Sequence, residues 1–336
     1  MFVRNSNTDM NKKFFLYGDW HSNVGPMNVN RCLVENSDGS MIYVRSKNKY
    51  LRRLEKIWYC LVCDVVVVSG GFRTFELFFS KLLHKRLVYL MHGCAEYENV
   101  VNKLNVPQKD LDQESEILES ASVIVAVSEN YAQWVKRRYP QYAGKVKFVN
   151  NGLEIGSYYR HEYHDDGHFS IAVSGGNRQI KCNLEVCRAV EKLVKEGLNI
   201  EVKAFGHFYD TGESFLHYPF VKRMNQMNKD EYYAELRKTD LYVVASDLES
   251  FGLVVGDGLA CGCAMLMSKN VGAISIFNKL TSEDLLDDNH DTDEIASKIK
   301  RLLAHSNAKR LFDAVDADKC SGKQTYLKLK QICLGD

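Results

Sequence analysis

The sequence has little proline, no long apolar run and almost no net charge. Four prolines in 336 residues argue against Pro-rich linkers and long irregular loops. No apolar stretch reaches the roughly 18 residues that a membrane-spanning helix needs. The formal net charge of +1 provides no general attraction to nucleic acid, so we expect no nucleic acid among the partners.

A secretory leader is also not recognisable. The first residues, MFVRNSNTDMNKKFFLYG, are polar and run directly into a short apolar segment. Ten cysteines are scattered mostly through apolar runs, which favours buried thiols in a reducing compartment. We therefore expect a cytoplasmic protein. Cys60 and Cys63 have CxxC spacing, but no second pair or His cluster supplies further zinc ligands, so buried thiols are preferred over a metal or redox centre.

Apolar runs alternate with amphipathic segments along most of the chain. Several of these runs are continuously apolar, which is typical of parallel strands covered on both faces. The predicted strands are 14–18, 64–70, 86–92, 122–128, 146–152, 169–176, 200–206, 240–246 and 264–268. The predicted helices are 27–36, 50–60, 73–83, 109–120, 129–139, 182–196, 229–238 and 253–262, followed by a helical end over 292–335. This alternation predicts an α/β protein built from βαβ units.

The length favours two domains over one. The polar segment NNGLEIGSYYRHEYHDDGHFS (150–170) lacks apolar periodicity and is interpreted as a linker. We therefore predict two Rossmann-like domains, over residues 1–151 and 152–319, and a terminal helix over 320–336 that could pack back on the first domain. Ligands of open α/β sheets bind at the carboxyl ends of strands, so the expected site is a cleft between the domains.

The segment SGGNRQIK (174–181) follows a predicted strand and precedes a predicted helix. Gly175 and Gly176 permit close backbone approach, and a helix N-terminus presents free N–H groups to an anion. Arg178 and Lys181 are three residues apart and can lie on one side of the first helical turn, where they would neutralise a diphosphate. The alternative is an ordinary βα turn with two solvated cations.

The segment SDLESFGLVVGDGLACGC (246–263) carries Glu249 and Asp257 on either side of an apolar run. Glu249 should lie on the loop after a strand, Gly252 should mark a tight turn, and Asp257 should fall early in the next helix. Both carboxylates could accept hydrogen bonds from sugar hydroxyls. Alternatively, Glu249 is a solvated loop residue and Asp257 interacts with the helix dipole.

Together these segments resemble the donor-binding half of glycosyltransferase family 4, whose enzymes have the GT-B fold. The family motif is a Glu, seven residues, and a second Glu, which is similar to ESFGLVVGD here. GDWHSNVGPMNVN, the pair His92-Gly93 and SENYAQWV…VKFVNNGLE resemble further landmarks, so the likeness covers roughly residues 14–305. Position 257 carries Asp where the family usually has Glu, and a water or a shifted helix would have to fill the gap.

The resemblance implies a role for each matching residue. Glu249 would contact the transferred sugar, Asp257 the ribose, and Arg178 with Lys181 the diphosphate. Gly25 would approach the diphosphate from the other domain, and His92 would lie near the sugar. The implied catalytic residues are Glu249, His92, Arg178 and Lys181, and the implied donor-binding residues are Gly25, Gly175, Gly176, Arg178, Lys181, Glu249, Ser250, Phe251, Gly252, Leu253 and Asp257. His92 could instead be a structural residue at a strand end.

The implied reaction transfers a sugar from a nucleotide-diphosphate sugar to a glycan or lipid-linked acceptor, in surface polysaccharide synthesis. The family retains anomeric configuration without an obligatory metal ion, so no cofactor and no metal ligand are expected; Arg178, Lys181 and helix N-termini would balance the leaving diphosphate. The donor could carry uridine, guanosine or adenosine diphosphate. The alternatives are a GT-B epimerase or phosphorylase and a non-catalytic nucleotide-sugar-binding protein.

The segment RSKNKYLRRLEKIWY (45–59) holds six cations and one carboxylate. Leu51, Leu54, Ile57 and Trp58 fall at helical spacing, so a helix here could lie on anionic lipid at the inner face of the membrane. The slightly favoured alternative is a helix that packs through this apolar stripe and leaves its basic face in solvent.

Overall fold

The computed structural model describes residues 13–21, 25–70, 78, 80–153, 155–159, 167–209 and 214–335. The chain divides into two compact units. Unit 1 comprises Met1–Cys94, Pro107–Gly152 and Asp318–Asp336, and unit 2 comprises Ala95–Val106 and Leu153–Ala317. The division expected from the sequence therefore differs at residues 95–106, which group with unit 2, and at residues 152 and 318–319, which group with unit 1.

Unit 1 is built around a six-stranded sheet in which every neighbouring pair of strands is parallel. β3 reads VVVVS and is buried along its whole length, as a central parallel strand with both faces covered should be. The strands, in the spatial order β2-β1-β3-β4-β5-β6, are β1 (Phe14–Tyr17), β2 (Met41–Tyr43), β3 (Val65–Ser69), β4 (Arg86–Met91), β5 (Val123–Ala126) and β6 (Val146–Phe148).

Unit 2 contains a second six-stranded parallel sheet. Its order is β12-β11-β10-β7-β8-β9, so β7 and β10 are central neighbours. The strands are β7 (His168–Val173), β8 (Asn199–Ala204), β9 (Val221–Arg223), β10 (Leu241–Val244), β11 (Ala264–Ser268) and β12 (Leu285–Leu286). The predicted α/β class with parallel sheets is confirmed.

Most of the described α-helices lie between strands along the chain, and the last four follow β12. They are α1 (Gly25–Glu35), α2 (Lys49–Val62), α3 (Ala95–Val101), α4 (Gln108–Ser120), α5 (Glu129–Arg138), α6 (Asn183–Lys195), α7 (Lys229–Leu236), α8 (Leu253–Ala260), α9 (Thr292–Ala304), α10 (Ala308–Asp313), α11 (Ala317–Cys320) and α12 (Gly322–Leu334). The helix predicted over 73–83 lies largely outside the described residues. Three strands that the sequence analysis did not predict, β2, β9 and β12, are all edge strands of two or three residues. Such short segments carry too few residues to show an alternating or continuous apolar pattern.

The terminal helix α12 packs closely against α1 within unit 1. A Cβ on Gly322 would lie 2.7 Å from Sγ of Cys32, and a Cβ on Gly152 would lie 2.5 Å from the same sulfur. Tyr326 also donates a hydrogen bond of 2.5 Å to the carboxylate of Asp38. The two glycines thus allow a backbone approach that a side chain would block.

The apolar stripe of α2 does not pack, contrary to the favoured interpretation of residues 45–59. Leu51, Leu54 and Trp58 are 55%, 63% and 61% exposed. The helix instead contacts β1 through its other face, where the Tyr59 ring lies 5.2 Å from the Phe15 ring and Cys60 is fully buried. Packing in unit 1 therefore leaves an apolar stripe on a helix rich in cations.

Asp284 is the most completely buried carboxylate described in unit 2, and its side chain joins the turn at Thr281 to the segment that carries Asn307 and Arg310. Arg310 donates to one of its oxygens, Asn307 donates to the same oxygen at 2.8 Å, and the Thr281 amide donates to the other at 2.7 Å. Burial by itself would raise the pKa of Asp284, but these hydrogen bonds outweigh it and hold the pKa below the ordinary value. The ionised form is therefore the one built into the fold.

Asp284→Ala should lower the free energy of unfolding by about 3 kcal/mol, because it leaves the Asn307 and Thr281 donors and the half-exposed Arg310 guanidinium without their buried acceptor. Since the folded-state pKa is lowered, the contribution of Asp284 is complete above the pKa of an unfolded Asp and declines as the pH falls below about 4. Urea unfolding at several pH values measures both effects. Asp313→Ala, which removes the exposed pair with Lys309, is the control and should cost less than about 0.5 kcal/mol. Equal losses in the two variants would contradict the assignment.

Candidate functional site

Two loops in unit 2 approach each other at the glycine pair after β7. Gly176 has φ +63°, and a Cβ there would lie 1.7 Å from the backbone oxygen of His207, in the loop after β8. The Gly176 amide donates to the Phe205 oxygen at 3.0 Å, and Asn183 donates to the Gly176 oxygen at 2.7 Å. The close packing of two backbones therefore already requires a glycine at this position.

The two cations of this segment lie before helix α6, not in its first turn as predicted. Arg178 has extended backbone, Lys181 ends a 3-10 turn (Gln179–Lys181), and α6 begins at Asn183. The Arg178 guanidinium donates to the Gly175 oxygen at 3.2 Å and lies 3.4 Å from the carboxylate of Glu98, on α3. The alternative of two freely solvated cations is therefore wrong for Arg178.

Lys181 pairs with Glu249, and this contact joins the loop after β7 to the loop after β10. The ammonium donates to one Glu249 oxygen, and the two side chains are only 11% and 18% exposed. The Glu249 backbone is fixed as well, since its amide donates to Asn270 at 3.2 Å and its oxygen accepts from Gly272 at 2.9 Å. Glu249 is thus a positioned, paired carboxylate, and the interpretation as a solvated loop residue is wrong.

The predicted turn at Gly252 leads directly into helix α8. Gly252 has φ +93° and forms the N-cap, so the N-cap residue has no side chain to accept a hydrogen bond from the first turn. Phe251 is buried, and its oxygen accepts from Ala273 at 2.6 Å. Ser250 precedes this turn, and Leu253 is the first helical residue. The start of α8 therefore presents its first N–H groups close in sequence to Glu249, and the N-cap residue provides no side-chain acceptor for them.

Asp257 does not lie in the first turn of α8. It is the fifth helical residue, and no acidic residue occupies the first turn, so the alternative interpretation of Asp257 as a partner of the helix dipole is wrong. Tyr233, on α7, donates a 2.7 Å hydrogen bond to Asp257, and the Lys229 ammonium lies 5.3 Å from the centre of the Tyr233 ring. Burial raises the pKa of Asp257, while the bond from Tyr233 opposes the increase.

In unit 1, the end of β4 carries His92 into a hydrogen-bonded network. Its Nε2 lies 2.7 Å from Oγ of Ser69, which lies 2.5 Å from Oδ1 of Asn30. The Asn30 amide nitrogen donates to the Asp19 oxygen at 2.8 Å. A Cβ on Gly18 would lie 2.6 Å from this nitrogen, so the network also needs a glycine. Burial lowers the pKa of His92 to about 4.

These contacts fix which nitrogen of His92 carries the proton. The Asp19 oxygen only accepts, so the Asn30 amide must turn its oxygen toward Ser69. Ser69 has a single hydroxyl proton, which goes to that oxygen. His92 must therefore donate from Nε2, and its Nδ1 is left as a hydrogen-bond acceptor. The sequence singled out His92 but gave no sign of Asn30 or Ser69, which lie 62 and 23 positions away from it.

Gly25 is the first residue of α1, which begins two residues before the predicted helix 27–36. No described atom lies within 4 Å of the place where its Cβ would stand, so local packing does not explain the glycine.

Cys60 and Cys63 are buried free thiols, and burial raises the pKa of Cys60 to about 11, which favours the interpretation as core thiols. Among the described residues, one group has donor atoms close enough to hold a metal ion: Cys182, Asp247 and His290.

Comparison with known proteins places the fold among glycosyltransferases of the GT-B class. Residues 217–313, less than a third of the chain, match the model of the family described as glycosyl transferases group 1. This stretch contains Glu249 and Asp257. A comparison with curated protein sequences finds no match.

Solved structures share the fold along nearly the whole chain. HepE from Anabaena, in complex with UDP-glucose, has a TM-score of 0.64 at 13% identity, over 96% of this chain and 99% of that one. Sucrose-phosphate synthase from Thermosynechococcus elongatus has a TM-score of 0.68 at 14% identity, over 96% and 98%. A glycosyltransferase from Rickettsia africae has 0.63 at 14%, over 97% and 100%. The predicted GT-B fold of two Rossmann-like units is confirmed.

Ser69→Ala should allow His92 to adopt its other neutral tautomer, with the proton on Nδ1, because it removes the acceptor that holds the proton on Nε2. In the wild-type protein, nitrogen NMR of histidine-labelled protein should show His92 as the neutral Nε2–H form down to a pH of about 4. The variant should show a population of the Nδ1–H form. Ser120→Ala, whose hydroxyl donates to the Glu116 oxygen, is the control and should leave the His92 signals unchanged. An Nδ1–H form in the wild type would contradict the network.

Proposed function

We propose that this chain is a nucleotide-sugar glycosyltransferase with its donor site in unit 2. The observation that carries the proposal is the Lys181–Glu249 pair, which brings a cation and a carboxylate together close to the start of α8, where the N-cap residue is a glycine. A sugar diphosphate offers a partner to each group: the phosphates attract a cation and free N–H groups, and the sugar hydroxyls donate to a carboxylate. The family match over residues 217–313 and the UDP-glucose complex of HepE support a nucleotide-diphosphate donor.

The donor would exchange partners within this site. Its diphosphate takes the Lys181 ammonium and the first N–H groups of α8, which leaves Glu249 to accept from the hydroxyls of the sugar. Lys181 and the helix start then stabilise the charge that develops on the leaving nucleotide diphosphate. Arg178 contributes once the diphosphate competes with Glu98 for its guanidinium. No metal ion takes part in the transfer step of this proposal.

Asp257 is proposed as the ribose ligand. Tyr233 donates to Oδ1 of Asp257 and so fixes the orientation of the carboxylate, which is one methylene shorter than a Glu. The reaction is proposed to retain the anomeric configuration and to use a glycan or lipid-linked acceptor in surface polysaccharide synthesis. The roles of Gly25 and His92, which belong to unit 1, stay predictions.

Lys181→Ala and Glu249→Gln test the proposal directly. A panel of nucleotide sugars is first screened by thermal shift, since a bound donor raises the apparent stability. With the donor so identified, release of nucleotide diphosphate and transfer to acceptor are measured. Lys181→Ala should lower the transfer rate about 10²–10³-fold, as expected for the loss of a group that stabilises transition-state charge. Glu249→Gln should abolish transfer while nucleotide binding is largely kept.

The matched controls are Lys195→Ala and Glu191→Gln, which remove an exposed Lys–Glu pair on α6 and should leave the rate unchanged. Full transfer by Glu249→Gln would refute the assigned role. Donor binding without release or transfer by the wild-type protein would indicate the non-catalytic alternative. Interconversion of two nucleotide sugars would indicate an epimerase, and phosphate-dependent cleavage of a glycan a phosphorylase.

Helix α2 is proposed to bring the protein to an anionic bilayer surface. No helix among the described residues is long and apolar enough to span a membrane. However, α2 exposes Leu51, Leu54 and Trp58 along one stripe, with Tyr50 77% exposed near its start. Six cations lie in the same stretch, residues 45–59. An apolar stripe bordered by cations is the pattern that lies in the interface of anionic lipids.

Leu54→Ser combined with Trp58→Ser should abolish co-sedimentation with vesicles that contain anionic lipid, because it removes two apolar side chains that would insert. Wild-type binding should weaken as salt is raised, since the cations act through screened charge. The control is Val100→Ser with Leu327→Ser, two exposed apolar residues outside α2, which should bind as wild type. Absence of wild-type binding at low salt would remove the membrane proposal.

A further inference from the structure

A second polar cluster is formed by residues that are close in sequence to Lys181 and Glu249 but that contact other side chains. His290 Nε2 is 2.8 Å from Oδ1 of Asp247, and the donor atoms of Cys182, Asp247 and His290 all lie within 4.8 Å of one another. Asp247 is in the loop after β10, Cys182 directly precedes α6, and His290 precedes α9. Three separate segments of unit 2 thus supply one thiol, one carboxylate and one imidazole.

The surroundings of these three groups match what a bound cation needs. The other ring nitrogen of His290, Nδ1, lies 3.9 Å from the Glu185 carboxylate. A carboxylate behind a metal-bound histidine fixes its tautomer and raises its basicity. The Asn289 amide nitrogen lies 3.3 Å from the Cys182 sulfur and 2.7 Å from Oδ1 of Asp247, so it can donate to both ligand atoms. Cys182, Asp247 and His290 could therefore bind a cation directly, while Glu185 and Asn289 would hold these ligands in place.

The backbone at Cys182 is also unusual. It has φ +52°, in the left-handed region that residues other than glycine seldom adopt. The Asp247 amide donates to the Ile180 oxygen at 2.9 Å, which holds the Cys182 loop and the Asp247 loop together. The side chain of Cys182 is buried, whereas that of His290 is 55% exposed. The cluster thus has a fixed inner ligand and an open side through which an ion can enter.

We propose that Cys182, Asp247 and His290 form a zinc site, with a water as fourth ligand. Thiolate, imidazole and carboxylate are the ligands that Zn²⁺ takes in proteins, and three of them with a water complete a tetrahedron. Typical bond lengths require the nitrogen–oxygen distance of 2.8 Å to open by about 0.5 Å, a side-chain adjustment. On binding, the zinc–sulfur bond forms and the thiol proton passes to solvent; no electron is transferred.

The ion would join the two loops that carry the candidate donor site. Cys182 directly follows Lys181, and Asp247 lies two residues before Glu249. A bound ion would therefore restrict both loops at once. This consequence for the donor site rests on the proposed function, whereas zinc binding itself does not depend on it.

Cobalt substitution tests the site through its colour. The background is the double variant Cys60→Ser and Cys63→Ser, which removes the CxxC pair. One equivalent of Co²⁺ should give the visible bands of a tetrahedral ion together with a near-ultraviolet thiolate-to-cobalt band, and Zn²⁺ should displace both. Cys182→Ser should eliminate the thiolate band, while Cys187→Ser, which removes a buried thiol of α6 outside the cluster, should keep it.

The exposed histidine provides a variant that leaves the core intact. His290→Ala should weaken Co²⁺ binding by more than about 10-fold, because loss of a residue that only supports a metal ligand already costs at least about that much. His305→Ala should have no effect. Circular dichroism checks that each variant is folded. A thiolate band that survives Cys182→Ser, unchanged affinity in His290→Ala, or no Co²⁺ spectrum would each overturn the site. None of these readouts requires a donor or an acceptor, so they are independent of the glycosyltransferase proposal.

Discussion

The Lys181–Glu249 ion pair is the contact on which the geometry of the candidate site depends. Both side chains are largely withdrawn from water, and an unpaired charge in such a place is costly, so each group requires the other when no ligand is present. The pair joins the loops after β7 and β10, neighbouring strands at the centre of the unit 2 sheet. An anionic ligand that replaces Glu249 as the partner of Lys181 must at the same time provide donors for Glu249. That double requirement selects ligands with both an anionic group and hydroxyls.

The backbone around this pair is equally constrained. Gly176 packs against the His207 oxygen, and Gly252 begins α8 with a positive φ, so a side chain at either position would strain or displace its loop. The sequence alone predicts that Gly175 and Gly176 permit a phosphate to approach the backbone. The contacts show that loop packing alone requires Gly176. A glycine-rich loop is therefore weaker evidence for a phosphate site than the positioned charges beside it.

The sequence predicts features that arise from neighbouring residues, such as strands and motif residues. It does not predict contacts between residues that are far apart along the chain. Continuous apolar runs located nine of the described strands, whereas the edge strands β2, β9 and β12 are too short to produce a pattern. The sequence identifies Glu249 because the ESFGLVVGD motif begins only a few residues after the predicted end of β10. Its partner Lys181 was found as well, but their pairing across 68 positions was not. The same holds for Ser69 with His92 and for Cys182 with Asp247 and His290, because no local spacing links residues that only the fold brings together.

The two carboxylates of the ESFGLVVGD segment, eight positions apart, have different chemistry because their partners differ. Glu249 faces the Lys181 ammonium, and its oxygens suit a group that accepts hydrogen bonds from sugar hydroxyls. Asp257 accepts a hydrogen bond from the Tyr233 hydroxyl, which fixes the orientation of its carboxylate. Burial raises the pKa of Asp257, so its ionised form is less stable than that of a solvent-exposed Asp. A nucleotide ribose would provide the second hydrogen-bond donor that stabilises the ionised Asp257. Affinity for the nucleotide should therefore depend on the protonation of Asp257. This asymmetry arises from α7, which supplies Tyr233, and not from the motif itself.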